Sequence, residues 1–132
     1  MNEIISRVEK HIWSDISNQD NIGLLTGLSG TALFYDALFN TYNKIEHQEK
    51  LILVIEKINS LIGEEEFLSS LCSGLAGFGW MLQKINNENV EIDQEYFNQF
   101  DSILFDELQE QANNNEYDFL HGSIGIVFYF IE

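Results

Sequence analysis

The sequence predicts an all-α protein built from pairs of helices, and three observations support this prediction. The 132 residues contain no proline and only nine glycines, which is typical of long, uninterrupted helices. Apolar residues recur at helical spacing along the chain. Three glycine motifs recur at a near-constant interval, which indicates an internal repeat. Because 45% of the residues are hydrophobic, we expect a single globular domain.

Three segments have apolar residues along one helical face only. They span residues 4–13, 51–62 and 96–108, and each has charged residues on the opposite face. This pattern predicts amphipathic helices that bury one side. Between them lie three segments that are apolar nearly all round, at residues 28–42, 75–85 and 124–131. We expect these to be inner helices that are covered on several sides.

A glycine motif precedes each inner helix. The segments GLLTGLSGTALF, SLCSGLAGFGWM and DFLHGSIGIVFY align without gaps and share G-x-x-G. The intervals between the first glycines are 47 and 48 residues, which is the length of a helical-pair repeat. We therefore predict three repeats, at about 1–45, 46–90 and 91–132. The motif glycines are Gly27/Gly30, Gly74/Gly77 and Gly122/Gly125.

Two roles are open for these glycines. Glycine at a helix entrance permits a turn with positive φ and a close approach of neighbouring backbone. A helix N-terminus also offers free N–H groups to an anion. No lysine or arginine accompanies any of the three turns, which favours packing over anion binding.

The repeat resembles that of the lanthionine synthetase C-like (LanC-like) proteins. The segments LLTGLSGTALF and DFLHGSIGI are particularly similar to early repeats of that family, and the resemblance covers essentially the whole chain. It implies an α/α toroid, in which seven helical pairs form a double ring with the G-x-x-G turns at the inner helices. It also implies an activity, the zinc-dependent addition of a cysteine thiol to a dehydrated serine or threonine of a precursor peptide.

The same resemblance places the zinc ligands outside this chain. In the family, two cysteines and a histidine at the turns of later repeats hold the metal. Cys72 and His121 stand at matching places within their turns, but in the second and third repeats, which do not normally bind metal. The other two histidines, His11 and His47, lie away from the inner turns. We expect no metal ligand and no cofactor in this chain, with zinc present in full-length members.

Asp118 is the candidate catalytic residue. It lies four residues before Gly122, where the family has an aspartate that faces the zinc as a candidate acid or base. A carboxylate at a helix entrance can instead cap the helix by accepting backbone N–H groups, and both roles are open here. His121 is a weaker candidate for proton transfer, since a histidine at this place can simply be hydrogen-bonded in the wall.

Composition limits the partners and the compartment. A net charge of −16 disfavours nucleic acid and anionic membranes. The acidic surface either keeps the chain in solution or attracts a cationic peptide or protein partner. No segment approaches the roughly 20 apolar residues of a membrane helix, so we expect no membrane insertion. A single cysteine is typical of a reducing cytoplasm.

Three repeats of a seven-repeat ring leave an edge open, so we expect an N-terminal fragment of a longer toroid. Such a fragment should self-associate through its open apolar edge. We expect it to be a scaffold part of a cyclase, inactive alone. The alternative is a non-catalytic helical-repeat module that binds a partner through its acidic surface. A glycosidase or terpene-cyclase relative is disfavoured, because Asp36 and Asp118 are the only acids close to a motif.

Overall fold

The structure, a computed structural model, describes residues 1–64, 66–87 and 90–131. This part of the chain forms six α-helices and no strand, which confirms the all-α prediction. The helices are α1 (Glu3–Asp15), α2 (Leu28–Tyr42), α3 (Ile45–Glu64), α4 (Leu75–Ile85), α5 (Gln94–Asn113) and α6 (Ser123–Phe130). None of them is both long enough and apolar enough to cross a membrane, within the residues described.

Local sequence explains several helix ends. The side chain of Asn2 accepts a hydrogen bond from the Ile4 N–H at 2.8 Å and so begins α1. Asp93 begins α5 by accepting the Glu95 N–H at 2.9 Å. Both are residue types that cap helix N-termini well. Helix α2 is followed by Asn43 as its C-cap, whose φ of 50° is the left-handed conformation that asparagine tolerates at a helix end.

The six helices form two layers. In the inner layer α4 lies between α2 and α6, while α3 packs on α2 and α5 packs on α4 and α6. Helix α1 joins α2 through an edge-to-face contact of Trp13 with Tyr35, with the ring centroids 5.7 Å apart. This is the arrangement expected for an arc of an α/α double ring. The fully buried large side chains come mainly from the inner layer and include Leu28, Tyr35, Phe78, Met81, Leu82, Ile85, Ile126 and Tyr129.

The turn before each inner helix supplies carbonyls to the first helical amides. The first N–H donates to the carbonyl seven residues earlier at 2.8 Å in all three repeats: Leu28 to Asn21, Leu75 to Leu68 and Ser123 to Glu116. In α2 and α4 the next two amides also donate to carbonyls seven residues earlier. These N–H groups, which an anion would need, are therefore already used inside the turn.

The same carbonyls explain the glycines. A Cβ on any of the six motif glycines would lie 1.9–2.5 Å from the carbonyl oxygen six residues earlier, far inside contact distance. None of the described glycines has a positive φ, and the first motif glycines are extended, with φ between −139° and −114°. The motif therefore serves close backbone packing, and the left-handed turn that glycine would also permit is not formed.

A partly buried charged cluster joins α1 to α3. Lys50 lies between the carboxylates of Glu9 and Glu46, with its Nζ 2.7 Å and 2.6 Å from them. The imidazole of His47 is 2% exposed, and its Nδ1 lies 3.6 Å from Glu9. The Lys50 side chain also lies near the rings of Trp13 and Tyr35. The cation offsets the cost of burying Glu9 between two helices.

Candidate functional site at the turns before the inner helices

The three turns are joined to one another by backbone hydrogen bonds. The Leu25 N–H donates to the Cys72 carbonyl at 3.3 Å, and the Cys72 N–H donates to the Leu120 carbonyl at 2.9 Å. These three residues hold equivalent positions, 47 and 48 residues apart. We call this row of hydrogen bonds the turn ladder. It brings the second and third G-x-x-G turns, with Cys72, Asp118 and His121, to one end of the inner layer.

Asp118 and His121 are in direct contact at the third turn. The Asp118 carboxylate accepts the His121 backbone N–H at 2.6 Å, and the same oxygen lies 3.2 Å from Nδ1 of the imidazole. Both side chains are exposed, at 63% and 65%. Asp118 therefore holds the turn before α6, whose N-cap residue Gly122 has no side-chain capping bond, so the helix cap that sequence left as one of two roles is not the contact that forms. The carboxylate is open to solvent, so its bond within the turn is compatible with a chemical role.

The electrostatics of this pair follow from its hydrogen bonds. The His121 backbone N–H, helped by the imidazole and the Leu120 backbone, holds the pKa of Asp118 below its usual value. Asp118 is therefore a carboxylate at neutral pH and acts as a hydrogen-bond acceptor. Where it accepts Nδ1–H of His121, the lone pair lies on Nε2, which can then accept a proton from another molecule.

In the turn before α4, a serine makes the same kind of side-chain to backbone hydrogen bond as Asp118. Ser70 stands at the place of Asp118 in the preceding repeat, and its hydroxyl accepts the Ser73 N–H at 3.2 Å. Ser70 is only 4% exposed, whereas Asp118 is open. Sequence reasoning missed Ser70, although an oxygen-bearing side chain four residues before the motif glycine in two repeats was a usable signal. The equivalent residue of the first repeat is Gly23, which has no side chain that could accept such a hydrogen bond.

A small groove lies beside His121. Its volume is about 220 Å³. The polar side chains that line it with His121 include Glu107 and Gln111 of α5. Gln111 donates from Nε2 to Glu107 at 2.8 Å, and its buried Oε1 has no hydrogen-bond partner within the described residues. The groove therefore presents a carboxylate, while the Gln111 amide oxygen lies buried behind its surface. Its remaining lining comes from Phe67, Leu68, Ser69 and Ser70.

The residues present do not make a zinc site. Cys72 is a free, half-buried thiol, and its backbone, rather than its sulfur, has a defined role in the turn ladder. Across residues 1–64, 66–87 and 90–131 no three Cys, His, Asp or Glu side chains are grouped to hold a metal. A catalytic zinc needs three protein ligands. The donor set near Cys72 and His121 is therefore too small, and no chemical step of this chain is assigned to zinc.

The remaining candidates from sequence lie elsewhere. Asp36 is on α2, about two turns beyond its first residue, where its Oδ2 accepts a hydrogen bond from Asn40 at 3.0 Å. Burial raises the pKa of Asp36. His47 is buried between α1 and α3, and His11 borders a groove at the first repeat. The fold thus gathers Cys72, Asp118 and His121 at the turns and leaves these three residues away from them.

Comparison with known proteins agrees with this architecture. Neither the curated proteins nor the solved structures contain a significant match to the chain. A family model described as lanthionine synthetase C-like protein matches residues 18–132. The match begins just before the first glycine turn and includes all three turns and the five helices that follow α1. With its G-x-x-G turns stacked at one end of an inner helical layer, the chain belongs to the lanthionine synthetase C-like family.

Proposed function

We propose that this chain is a scaffold part of a LanC-like peptide cyclase and that its third turn faces the peptide. The observation that carries the proposal is the exposed Asp118–His121 pair at the end of the turn ladder. A carboxylate and an imidazole 3.2 Å apart are suited to hold and move a proton.

A single cysteine favours the cytoplasm as the compartment.

The proposed reaction of the parent protein is balanced without an oxidant or a reductant. A thiol S–H adds across the C=C bond of a dehydrated serine or threonine. One S–C bond forms at the β-carbon, and one proton is delivered to the α-carbon. In this chain Asp118 would orient His121, while Nε2 of the imidazole would hold or deliver a proton at the peptide. We expect this chain alone to bind the peptide without closing the thioether ring.

Binding of a labelled peptide tests the assignment of the third turn. The probe is a fluorescein-labelled peptide with one cysteine, one dehydroalanine and two lysines, titrated with the chain and followed by fluorescence anisotropy. We expect Asp118→Asn to weaken binding several-fold, because it removes the carboxylate that faces the peptide. Asp106→Asn is the matched control, because Asp106 is an exposed aspartate on α5 that does not line the groove beside His121.

Two results of the binding assay would contradict the proposal. One is a peptide affinity that Asp118→Asn and Asp106→Asn change equally, since only overall charge would then matter. The other is the absence of binding at millimolar concentrations of chain. Alkylation of the remaining peptide thiol, counted by mass spectrometry, measures ring closure in the same samples. Ring closure by the chain alone would refute the scaffold role.

The groove beside His121 favours a second candidate function, a module that binds basic peptides without chemistry. The Glu107 carboxylate, which lines the groove, suits a ligand with several N–H donors, such as an arginine or lysine side chain. In this case Glu107→Gln should weaken binding of the same peptide more than Asp118→Asn does. A dehydroalanine residue in the peptide should then make no difference to the affinity.

A further inference from the structure

The first and second turns each place one side chain on the second glycine of the next repeat. The Leu24 Cβ lies 3.0 Å from a Cβ built on Gly77. In the same way, the Leu71 Cβ lies 2.9 Å from a Cβ built on Gly125. Leu24 and Leu71 hold equivalent places in their turns. The same contact therefore joins the first repeat to the second and the second repeat to the third. In each case a leucine side chain packs on a glycine, next to the hydrogen bonds of the turn ladder.

The first repeat has the glycine of this contact without a side chain on it. Gly30 is equivalent to Gly77 and Gly125, but no leucine side chain lies on it. The atoms within 4 Å of a Cβ built on Gly30 are backbone atoms of Leu24, which belongs to the same repeat. A groove of about 450 Å³ opens at Gly30. We call it the head groove, and its apolar lining comprises Ile12, Ile16, Leu25 and Phe34.

The third repeat has the side chain without a glycine to receive it. Phe119 is equivalent to Leu71 but is 45% exposed, whereas Leu71 is 4% exposed. On α6, Ile124 is 49% exposed, whereas the equivalent Ala76 on α4 is fully buried. The inner helix of the third repeat is thus less covered than sequence predicted. We call this surface the tail patch, and it comprises Phe119, Leu120, Ile124 and Val127.

The two ends are also complementary in their backbone groups. In the turn ladder the carbonyls of Cys72 and Leu120 each accept an N–H from the preceding repeat. The equivalent carbonyl of the first repeat belongs to Leu25, an exposed residue of the head groove. At the other end the Leu120 N–H interacts with the exposed Asp118 carboxylate and lowers its pKa, and a carbonyl of another copy can replace this acceptor.

We propose that a second copy of this chain docks head to tail, with its head groove on the tail patch of the first copy. Phe119 of one copy then lies at Gly30 of the other, which repeats between chains the contact that each chain forms twice within itself. Such a heterologous contact continues from copy to copy until it closes into a ring. Each copy carries a charge of −16, so we expect association to strengthen as salt screens the repulsion.

Three variants test the proposal by sedimentation velocity over the micromolar range. Phe119→Asp blocks the tail patch, Leu25→Asp blocks the head groove, and Leu53→Asp is the control. Leu53 matches Leu25 in residue type and in exposure (52% against 59%) but lies on α3. We expect each blocking change to weaken self-association about tenfold or more, as for a central interface residue, and the control to leave it unchanged.

Mixing the two blocked variants distinguishes a head-to-tail contact from a symmetric one. The Phe119→Asp chain keeps its head groove and the Leu25→Asp chain keeps its tail patch, so an equimolar mixture should form one-to-one heterodimers. The heterodimers would also show that both variants are folded. A wild-type chain that is monomeric at all concentrations and salt levels refutes the proposal. So does association that the blocking changes do not affect, or a mixture that stays monomeric while each variant unfolds at the wild-type temperature.

Discussion

Gly74→Ala is expected to destabilise the protein strongly, although it adds only one methyl group. A Cβ on Gly74 would lie 1.9 Å from the carbonyl oxygen of Leu68, and real Cβ contacts do not fall below 3.0 Å. The oxygen must therefore move by about 1 Å, a value that follows from those two distances. That oxygen also accepts the Leu75 N–H at 2.8 Å, so the movement strains the start of α4.

The cost combines two effects. Overpacking of a tight site costs about 1–3 kcal/mol, and loss of a backbone hydrogen bond costs about 1 kcal/mol. The sum is about 2–4 kcal/mol in the free energy of unfolding, which is a large fraction of the roughly 5–15 kcal/mol of an ordinary domain. At roughly 4 °C per kcal/mol for a domain of this size, the melting temperature should fall by about 8–16 °C.

The chain contains a matched control in Gly63. This glycine lies near the end of α3 and has nothing within 4 Å of a Cβ built on it. Gly63→Ala should raise stability by up to about 1 kcal/mol, because alanine favours a helix over glycine. Urea unfolding followed by circular dichroism measures both variants. A Gly74→Ala chain as stable as wild type, or an equal loss in Gly63→Ala, would refute the packing explanation of the motif.

Three further changes give distinct outcomes in the same unfolding assay. Burial raises the pKa of Tyr35 to about 12, whereas a tyrosine in the unfolded chain loses its proton near pH 10. The contribution of the protonated Tyr35 to the free energy of unfolding is therefore complete below about pH 10. It is lost as the pH rises from about 10 to about 12. Tyr35→Phe should reduce that alkaline loss and change little at pH 7, because the buried hydroxyl has no hydrogen-bond partner in the described part of the chain; an unchanged pH profile would count against this explanation. Tyr129→Phe should instead cost about 1–2 kcal/mol, because this hydroxyl donates to Asp101 at 2.7 Å, and a variant of wild-type stability would contradict that role. Lys50→Met should cost about 2–4 kcal/mol, because it leaves the buried Glu9 carboxylate without its cation, and a variant of wild-type stability would contradict this role.

The helices and their order were predictable from local pattern. The two inner segments at residues 28–42 and 75–85 correspond to α2 and α4 residue for residue. Helix α3 begins at Ile45, six residues before the start of the predicted apolar segment at residue 51. The first turns of the helix are mostly polar, and the spacing of apolar residues cannot detect a helix there. The glycine interval predicted a helical-pair repeat, and the backbone bonds that join one turn to the next are seen only in the structure.

The candidate site was only partly predictable. The position of Asp118 relative to Gly122 identified the residue, yet sequence could not choose between a cap and a reactive carboxylate. The structure shows that Asp118 accepts the His121 N–H within the turn, ahead of the first residue of α6, and that both side chains are exposed. The groove at Gln111 was not foreseen, because it lies between residues that are distant in sequence.

The sequence by itself determined which segments are helical, which are inner and where the turns recur. Those properties depend on residues within a few positions of one another, where spacing and glycine placement act directly. Only the tertiary structure decided that Cys72 is hydrogen-bonded to Leu120, that Ser70 is covered and Asp118 is open, and that Gly30 has no leucine on it. These features depend on how turns 47 or 48 residues apart pack together, and that packing is fixed by the summed contacts of whole helices rather than by any local motif.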